Sequence, residues 1–192
     1  MTGRTHDLAA ITALGVVVLV HPPQVISLGT AVVAVVANQI GGITPDIDEP
    51  TAPLWRNLPI GGLAGRVTDR LLGGHRFITH SLLGMAVFGG LVYWLLQFIH
   101  PSAPHLNSGM VWWAFMIGMA SHLVMDTLTK EGVPWLLPIP FKFGFPPLAA
   151  LRITTGKVVE QFGVFPALLA VNAYLLIHYY HRLLYLLHYR II

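Results

Sequence analysis

Five apolar segments dominate this chain, at Leu8–Val20, Val25–Ile40, Ser81–Ile99, Gly109–Leu128 and Phe162–Leu187. A helix crossing the hydrocarbon core of a bilayer needs roughly 17–25 apolar residues. The third, fourth and fifth segments reach that length, the second is slightly short and the first clearly so. His21-Pro22-Pro23 would stop a helix, so the first two segments predict a tight helical hairpin. The fifth carries His178, His181 and Arg182, which predicts that its C-terminal half leaves the membrane. Composition supports the same reading: of 192 residues 55% are hydrophobic and only 10% charged, and mean hydropathy is +0.68. A soluble domain carries about 25% charged residues, so this chain lacks the charge to coat one. The expected fold is all-α, a polytopic membrane helix bundle forming one integral membrane domain over residues 1–192. It would have about five hydrophobic helices and two large loops on the cytoplasmic side.

Those loops are Gly41–Thr79 and Thr129–Glu160. The first predicts a short amphipathic helix over Leu63–Leu72. The second is too interrupted by Pro and Gly to span a membrane. Alternation around Ile139–Phe145 suggests a short hairpin or a loop lying in the interface. Lys and Arg placement sets the orientation. Arg4, then Arg56, Arg66, Arg70 and Arg76, then Lys130, Lys142, Arg152 and Lys157 all fall on one side, while the turns at His21–Gln24 and His100–Ser108 have neither residue type. That side is expected to be cytoplasmic. Arg182 and Arg190 run against the rule if the fifth segment spans fully. His6 and Asp7 interrupt the N-terminal apolar run, and no small-residue cleavage site follows before His21. It therefore reads as a retained helix and not a signal peptide.

The topology carries the chemically suggestive residues to that same face: His6, Asp46, Asp48, His75, His80, His122, Asp126 and Glu160. No cysteine is present, so a transition-metal site must use imidazole and carboxylate. His122 and Asp126 are four apart and share one helical face, where they can ligate one ion. A His–Asp hydrogen bond tying helices together is the bland alternative. In the Pro-bounded run Pro45-Asp46-Ile47-Asp48-Glu49-Pro50, an extended backbone would point Asp46 and Asp48 the same way. A solvated capping turn is equally compatible. His75 and His80 can converge only if His75 precedes the helix, which Thr79 as N-cap would allow. Arg76 is a natural partner for phosphate or carboxylate. Glu160 is either a ligand or a helix-capping carboxylate. Gathered together, Asp46, Asp48, Asp126 and Glu160 would repel one another strongly, and two divalent ions would neutralise them. If only two or three of the four converge, one ion suffices. His100, His105, His178, His181 and His188 fall on the other side or on the tail and read as interfacial.

The combination PDIDEP, HRFITHSLL and GMASHLVMDTLTKEGVPWLLP resembles the family of bacterial and archaeal membrane-bound metal-dependent hydrolases typified by YdjM. The likeness runs from His6 to Glu160. It implies a metal site made of His6, Asp46, Asp48, His75, His80, His122, Asp126 and Glu160. A fainter similarity, in the order His, Asp, His, His-x-x-x-Asp, is to the zinc-dependent phospholipase C and P1-nuclease group. The N-terminal Trp and downstream His pair of that group are missing here, so the similarity does not extend to a trinuclear zinc centre.

The expected function is hydrolysis of a phosphoester or phosphodiester, in a lipid substrate, at the cytoplasmic face of a bacterial or archaeal membrane. One or two divalent ions would serve, zinc first, with manganese or iron as alternatives. Asp48 or Glu160 would accept the proton, and Arg76 would stabilise charge on phosphate oxygens. The loop Val133–Leu148, rich in Trp, Phe, Leu and Pro, would lie in the interface and admit acyl chains. No nucleic-acid partner is expected, and the sequence does not specify an oligomeric state. The alternatives are a metal-binding transporter, a non-enzymatic membrane scaffold and an interfacial metalloprotease, whose His-Glu-x-x-His this chain lacks. A metal transporter lacks polar residues along the middles of the third and fourth helices. A non-enzymatic scaffold would bind no metal.

Overall fold

A computed structural model describes residues 1–52, 55, 58–59, 61–71, 76–139 and 141–189, excluding the side chains of 187–189. His75, Arg56, Leu72 and Arg190, on which part of the sequence reading rests, lie outside the described residues. Helix α1 covers Gly3–Val20 and α2 covers Leu28–Ile43, running straight into a 3-10 turn at Thr44–Asp48. Helix α3 covers Gly61–Leu71, α4 Leu82–Ile99 and α5 Ser108–Thr127. A π-helical turn at Glu160–Val164 leads into α6, Phe165–His178, and α7 covers Tyr180–Tyr189. Among the described residues five helical stretches are long and apolar enough to cross a membrane: Gly3–Val20, Leu28–Asp48, Leu82–Ser102, Ser108–Thr127 and Glu160–His178. The chain is a polytopic helical membrane protein.

Local chemistry sets the helix starts. Ser27 Oγ accepts the Thr30 amide, Ser81 Oγ the Gly84 amide and Asn107 Oδ1 the Met110 amide, each at 3.0–3.1 Å. These are the N-cap bonds that satisfy otherwise orphaned helix donors. Helix α1 is longer than its apolar run because it takes in Arg4, Thr5, His6 and Asp7. At the other end, helical geometry breaks at Tyr179. The fifth span thus ends at His178, and Arg182 belongs to the separate helix α7.

Helix α5 is the centre of the bundle, packed on α1, α2 and α4. Its buried face recurs every three or four residues, through Val111, Phe115, Gly118, Met119, His122, Leu123 and Asp126. The crossing with α2 is a backbone-to-backbone contact. A Cβ on Gly41 would sit 2.0 Å from the Phe115 carbonyl oxygen, and one on Gly118 would sit 2.0 Å from the Asn38 carbonyl oxygen. Small residues of this kind let membrane helices approach closely. Asn38 Nδ2 adds a 3.1 Å bond to the Ala114 carbonyl. The outer faces carry exposed Leu83, Val87, Leu91 and Phe98 on α4 and Leu169, Leu176 and Ile177 on α6, as lipid contact requires.

Among the described residues of the second large loop, the hairpin that was one of the two expectations from its alternation is reduced to a single bridged pair. Val133 and Phe143 exchange two backbone bonds of 2.8 Å in an isolated antiparallel bridge, and Thr129 pairs with Ile153 in an isolated parallel one. The donors that would continue the Val133–Phe143 pair go elsewhere, Trp135 N to the Val133 carbonyl and Phe145 N to the Thr127 carbonyl. The first loop contains the expected amphipathic helix, present over Gly61–Leu71 of the described residues.

Candidate metal centre

Alternating spans bring the N-terminus of α1, the C-termini of α2 and α5, and the N-termini of α4 and the fifth span to one end of the bundle. His6, Asp46, His80, His122 and Asp126 meet there. All but Asp46 are buried to 1% exposure or less, while the Asp46 side chain keeps 26%.

Four potential donor atoms lie in neighbouring contact. His122 Nε2 is 3.5 Å from Asp46 Oδ1 and 3.7 Å from Asp126 Oδ2. His80 Nε2 is 3.8 Å from Asp46 Oδ1 and 3.6 Å from Asp126 Oδ2. Zinc bonds to N and O of about 2.0–2.1 Å imply a tetrahedron with edges of about 3.3–3.4 Å. These four separations are a few tenths of an ångström longer than such an edge. His6 lies on the other side of Asp126, its Nε2 3.2 Å from Oδ1, with its ring stacked on His122 at 3.6 Å. Two triads satisfy ligand spacing among the described residues, His6/His122/Asp126 and Asp46/His80/His122.

Surrounding groups orient these donors. The Gly42 carbonyl, in the last turn of α2 and so without a helical partner, accepts a 2.6 Å bond from His122 Nδ1. A carbonyl only accepts, so Nδ1 carries the proton and Nε2 keeps its lone pair, an arrangement typical of ligating histidines. That contact exists because Gly118 lets α5 touch the backbone around Asn38 and Gly42. His6 Nδ1 and Nε2 and His122 Nε2 are buried with no hydrogen-bond partner among the described residues, whereas Asp126 Oδ2 has the Arg76 guanidinium at 2.7 Å. Buried polar atoms are nearly always satisfied. Three imidazole nitrogens left together beside two aspartates, all of types that bind metals, are what a bound cation would satisfy. The donor set of imidazole nitrogen and carboxylate oxygen suits zinc, manganese or iron(II).

Asp48 takes a different role from Asp46. In a 3-10 turn, with three residues per turn, positions two apart diverge instead of sharing a face. Asp48 is fully buried and accepts the Arg76 amide at 3.1 Å and the Thr79 hydroxyl, and its Oδ2 lies 3.6 Å from His80 Nδ1. Thr79 is consequently not the N-cap of α4, which is Ser81. Its hydroxyl bridges Asp48 and His80 Nδ1. Burial alone would lower the His80 pKa, but hydrogen bonds to Asp126 and Asp48 outweigh it and raise the pKa above its ordinary value.

Arg76 sits at φ 59°, a left-handed conformation unusual outside glycine, and costs roughly 1–2 kcal/mol there. Asp48 holds that turn through the Arg76 amide. The guanidinium is buried, 2.7 Å from Asp126 Oδ2 and 2.9 Å from the Thr129 hydroxyl, with Nε 3.5 Å from Glu131. The Met1 amine also contacts Asp126. Arg76 therefore faces a protein carboxylate.

Glu160 belongs to neither triad. Its Oε1 accepts the Thr2 amide at 2.6 Å and the Thr2 and Thr5 hydroxyls at 2.7 Å each, and its Oε2 accepts the Gly156 amide at 2.7 Å. It anchors the first turn of α1, and through it His6, to the fifth span. His75 lies outside the described residues. Thr129 and the Gly42 carbonyl carry no sequence signature, and Thr79 has the signature of a helix cap but bridges Asp48 and His80 instead.

A family model described as YdjM inner membrane protein matches residues 1–186. The chain is 28% identical over 161 residues to the Bacillus subtilis protein printed as "Uncharacterized protein YvsG", covering 84% of this chain and 86% of that one. It is 35% identical over 130 residues to inner membrane protein YdjM of Escherichia coli, covering 62% of this chain, and the match spans only 55% of that relative. The same figures hold for the Shigella flexneri protein of that name. No solved structure matches.

Proposed function

The chain belongs to the YdjM inner membrane protein family, and we propose that it is a metal-dependent hydrolase of lipid phosphoesters or phosphodiesters, working at the cytoplasmic face of the membrane. The observation that carries the proposal is the set of four donors, Asp46, His80, His122 and Asp126, with neighbouring separations of 3.5–3.8 Å. One ion answers the charge pattern better than two. Glu160 is engaged elsewhere, Asp48 is held by Arg76 and Thr79, and Arg76 already faces Asp126.

A bound divalent ion would lower the pKa of a coordinated water to about 7 and polarise a phosphoryl oxygen. The protein groups divide the remaining work. The Gly42 carbonyl holds the outer nitrogen of His122, and the Thr79 hydroxyl, itself donating to Asp48, holds that of His80, so both rings keep their aim. Arg76 holds Asp126 and keeps positive charge beside the reacting phosphate. Asp46, the donor with solvent access, is placed to accept the proton at its second carboxylate oxygen, since Asp48 and Glu160 are buried and bonded. Because α4 begins and α5 ends beside the donors, a bilayer bounded by those helix ends would have its surface within about one helical turn of the site, which supports a substrate in the headgroup layer. Exposed Phe141, Phe143, Phe145 and Leu148 in the second loop offer acyl chains an apolar border.

Elemental analysis of purified protein beside His122→Ala and Asp126→Ala tests the reading. About one equivalent of zinc, manganese or iron, lost in both variants, is expected. Metal-free wild-type protein that still performs its cellular role would defeat it. The loaded protein is then assayed on phospholipids, soluble phosphodiesters and peptides. Bound metal without turnover on any of them would make the four donors a closed structural site.

A further inference from the structure

Helix α3, Gly61–Leu71, lies on the same end of the bundle as the metal donors but contributes none of them. Its surface is three-sided. Gly61 and Gly65 are buried, and a Cβ on either would meet Trp55 at under 3.0 Å. The Thr68 hydroxyl, on that packed side, donates to the Ile47 carbonyl at 2.8 Å, and Trp55 Nε1 donates to the same carbonyl at 3.1 Å. Ile47 stands between Asp46 and Asp48, so α3 is tied directly to the acidic turn. Advancing about 100° per residue, Gly62, Arg66 and Arg70 form one exposed flank. Leu63, Val67 and Leu71, four apart, form the next, at 65%, 48% and 75% exposure.

We infer that α3 is an in-plane membrane helix, seated in the headgroup layer of an anionic leaflet, which holds the Asp46–Asp48 turn at the bilayer surface. Two observations favour lipid as the occupant of its open face. The helix is strung between the end of the span Leu28–Asp48 and the start of the span Leu82–Ser102, so it lies at the membrane boundary by connectivity. Its apolar stripe is flanked by arginines, the pairing that buries side chains at the acyl boundary while cations meet phosphates. Nothing in this inference depends on a metal being bound.

The chain has no cysteine, so single labels can be placed without background. Spin labels at Gly62→Cys, Leu63→Cys, Val67→Cys and Leu71→Cys would be read in nanodiscs of phosphatidylethanolamine and phosphatidylglycerol. The expected pattern is preferential access of oxygen at positions 63, 67 and 71 and of a water-soluble nickel chelate at position 62. Replacing phosphatidylglycerol by phosphatidylcholine should shift Val67→Cys towards nickel access by several-fold, and Arg66→Gln with Arg70→Gln should remove that dependence. Equal nickel access at all four positions would overturn the inference. Label–label broadening at position 67 would overturn it too, since it would place a second copy of the chain on the stripe. Labels at exposed positions leave the fold intact, and the metal content of each labelled protein stays a separate readout.

Discussion

Gly118→Ala is the sharpest test of how the fold builds the site. The added Cβ would lie 2.0 Å from the Asn38 carbonyl oxygen and 2.9 Å from both the Asn38 carbonyl carbon and the Gly42 amide nitrogen. These are backbone atoms, so no side chain can swing aside. Real Cβ contacts essentially never fall under 3.0 Å, and the two helices must separate by about 1 Å. The same displacement would carry the His122 Nδ1 to Gly42 oxygen distance from 2.6 Å to about 3.6 Å, which is no longer a hydrogen bond. Overpacking of this kind costs about 1–3 kcal/mol, and the orphaned imidazole N–H about 1–3 kcal/mol more. Loss of an outer-shell partner of a ligating histidine typically weakens metal binding about 10–100-fold. The assay is thermal unfolding in detergent together with a competition measurement of the zinc dissociation constant. Gly90→Ala is the control, because nothing lies within 4 Å of the Cβ it would add. If Gly118→Ala matches Gly90→Ala in both readouts, the close crossing is not what supports the site. If stability falls while zinc affinity holds, the crossing is tight but does not set the aim of His122.

Three further outcomes follow from the same geometry. Arg76→Met should destabilise the metal-free protein by about 3–5 kcal/mol, the usual result of stranding one buried charge. A clearly smaller loss is expected with zinc bound, since the ion compensates Asp126, and identical losses in the two states would contradict that. Glu160→Gln should lower stability by about 1.5–3 kcal/mol, the scale of a charged hydrogen bond, yet leave metal stoichiometry unchanged. Loss of metal there would make Glu160 a ligand after all. The raised His80 pKa gives opposite pH slopes for two quantities. Its stabilisation of the metal-free protein is fully present below the ordinary value of 6.5 and is lost as pH rises through the higher folded-state pKa. Zinc affinity rises over the same interval because the proton no longer competes. Both slopes should flatten in His80→Asn, and unchanged slopes would remove His80 from the site.

The convergence of His6, Asp46, His80, His122 and Asp126 was legible in sequence because membrane topology is a strong constraint. Once the apolar segments alternate in direction, their polar ends have only two faces to occupy. The spacing of His122 and Asp126 on one helix needed nothing more than helical periodicity. What escaped the sequence depends on backbone detail. The divergence of Asp46 from Asp48 follows from a 3-10 turn where an extended stretch was expected, a difference of a few dihedral angles. Arg76 was expected to await a phosphate, but its left-handed turn, fixed by Asp48, aims it at Asp126. Glu160 had the composition of a ligand, yet Thr2, Thr5 and Gly156 reach it first, and no spacing rule links residues some 155 positions apart. The same logic explains why glycine, without chemistry of its own, is as informative here as histidine. Gly41 and Gly118 set the distance between α2 and α5, and that distance decides whether a helix-end carbonyl can hold the His122 imidazole with its Nε2 lone pair free. A family member that keeps both histidines and both aspartates but carries a larger residue at position 118 should therefore fold with a misaimed His122, and would bind metal weakly despite an intact ligand set.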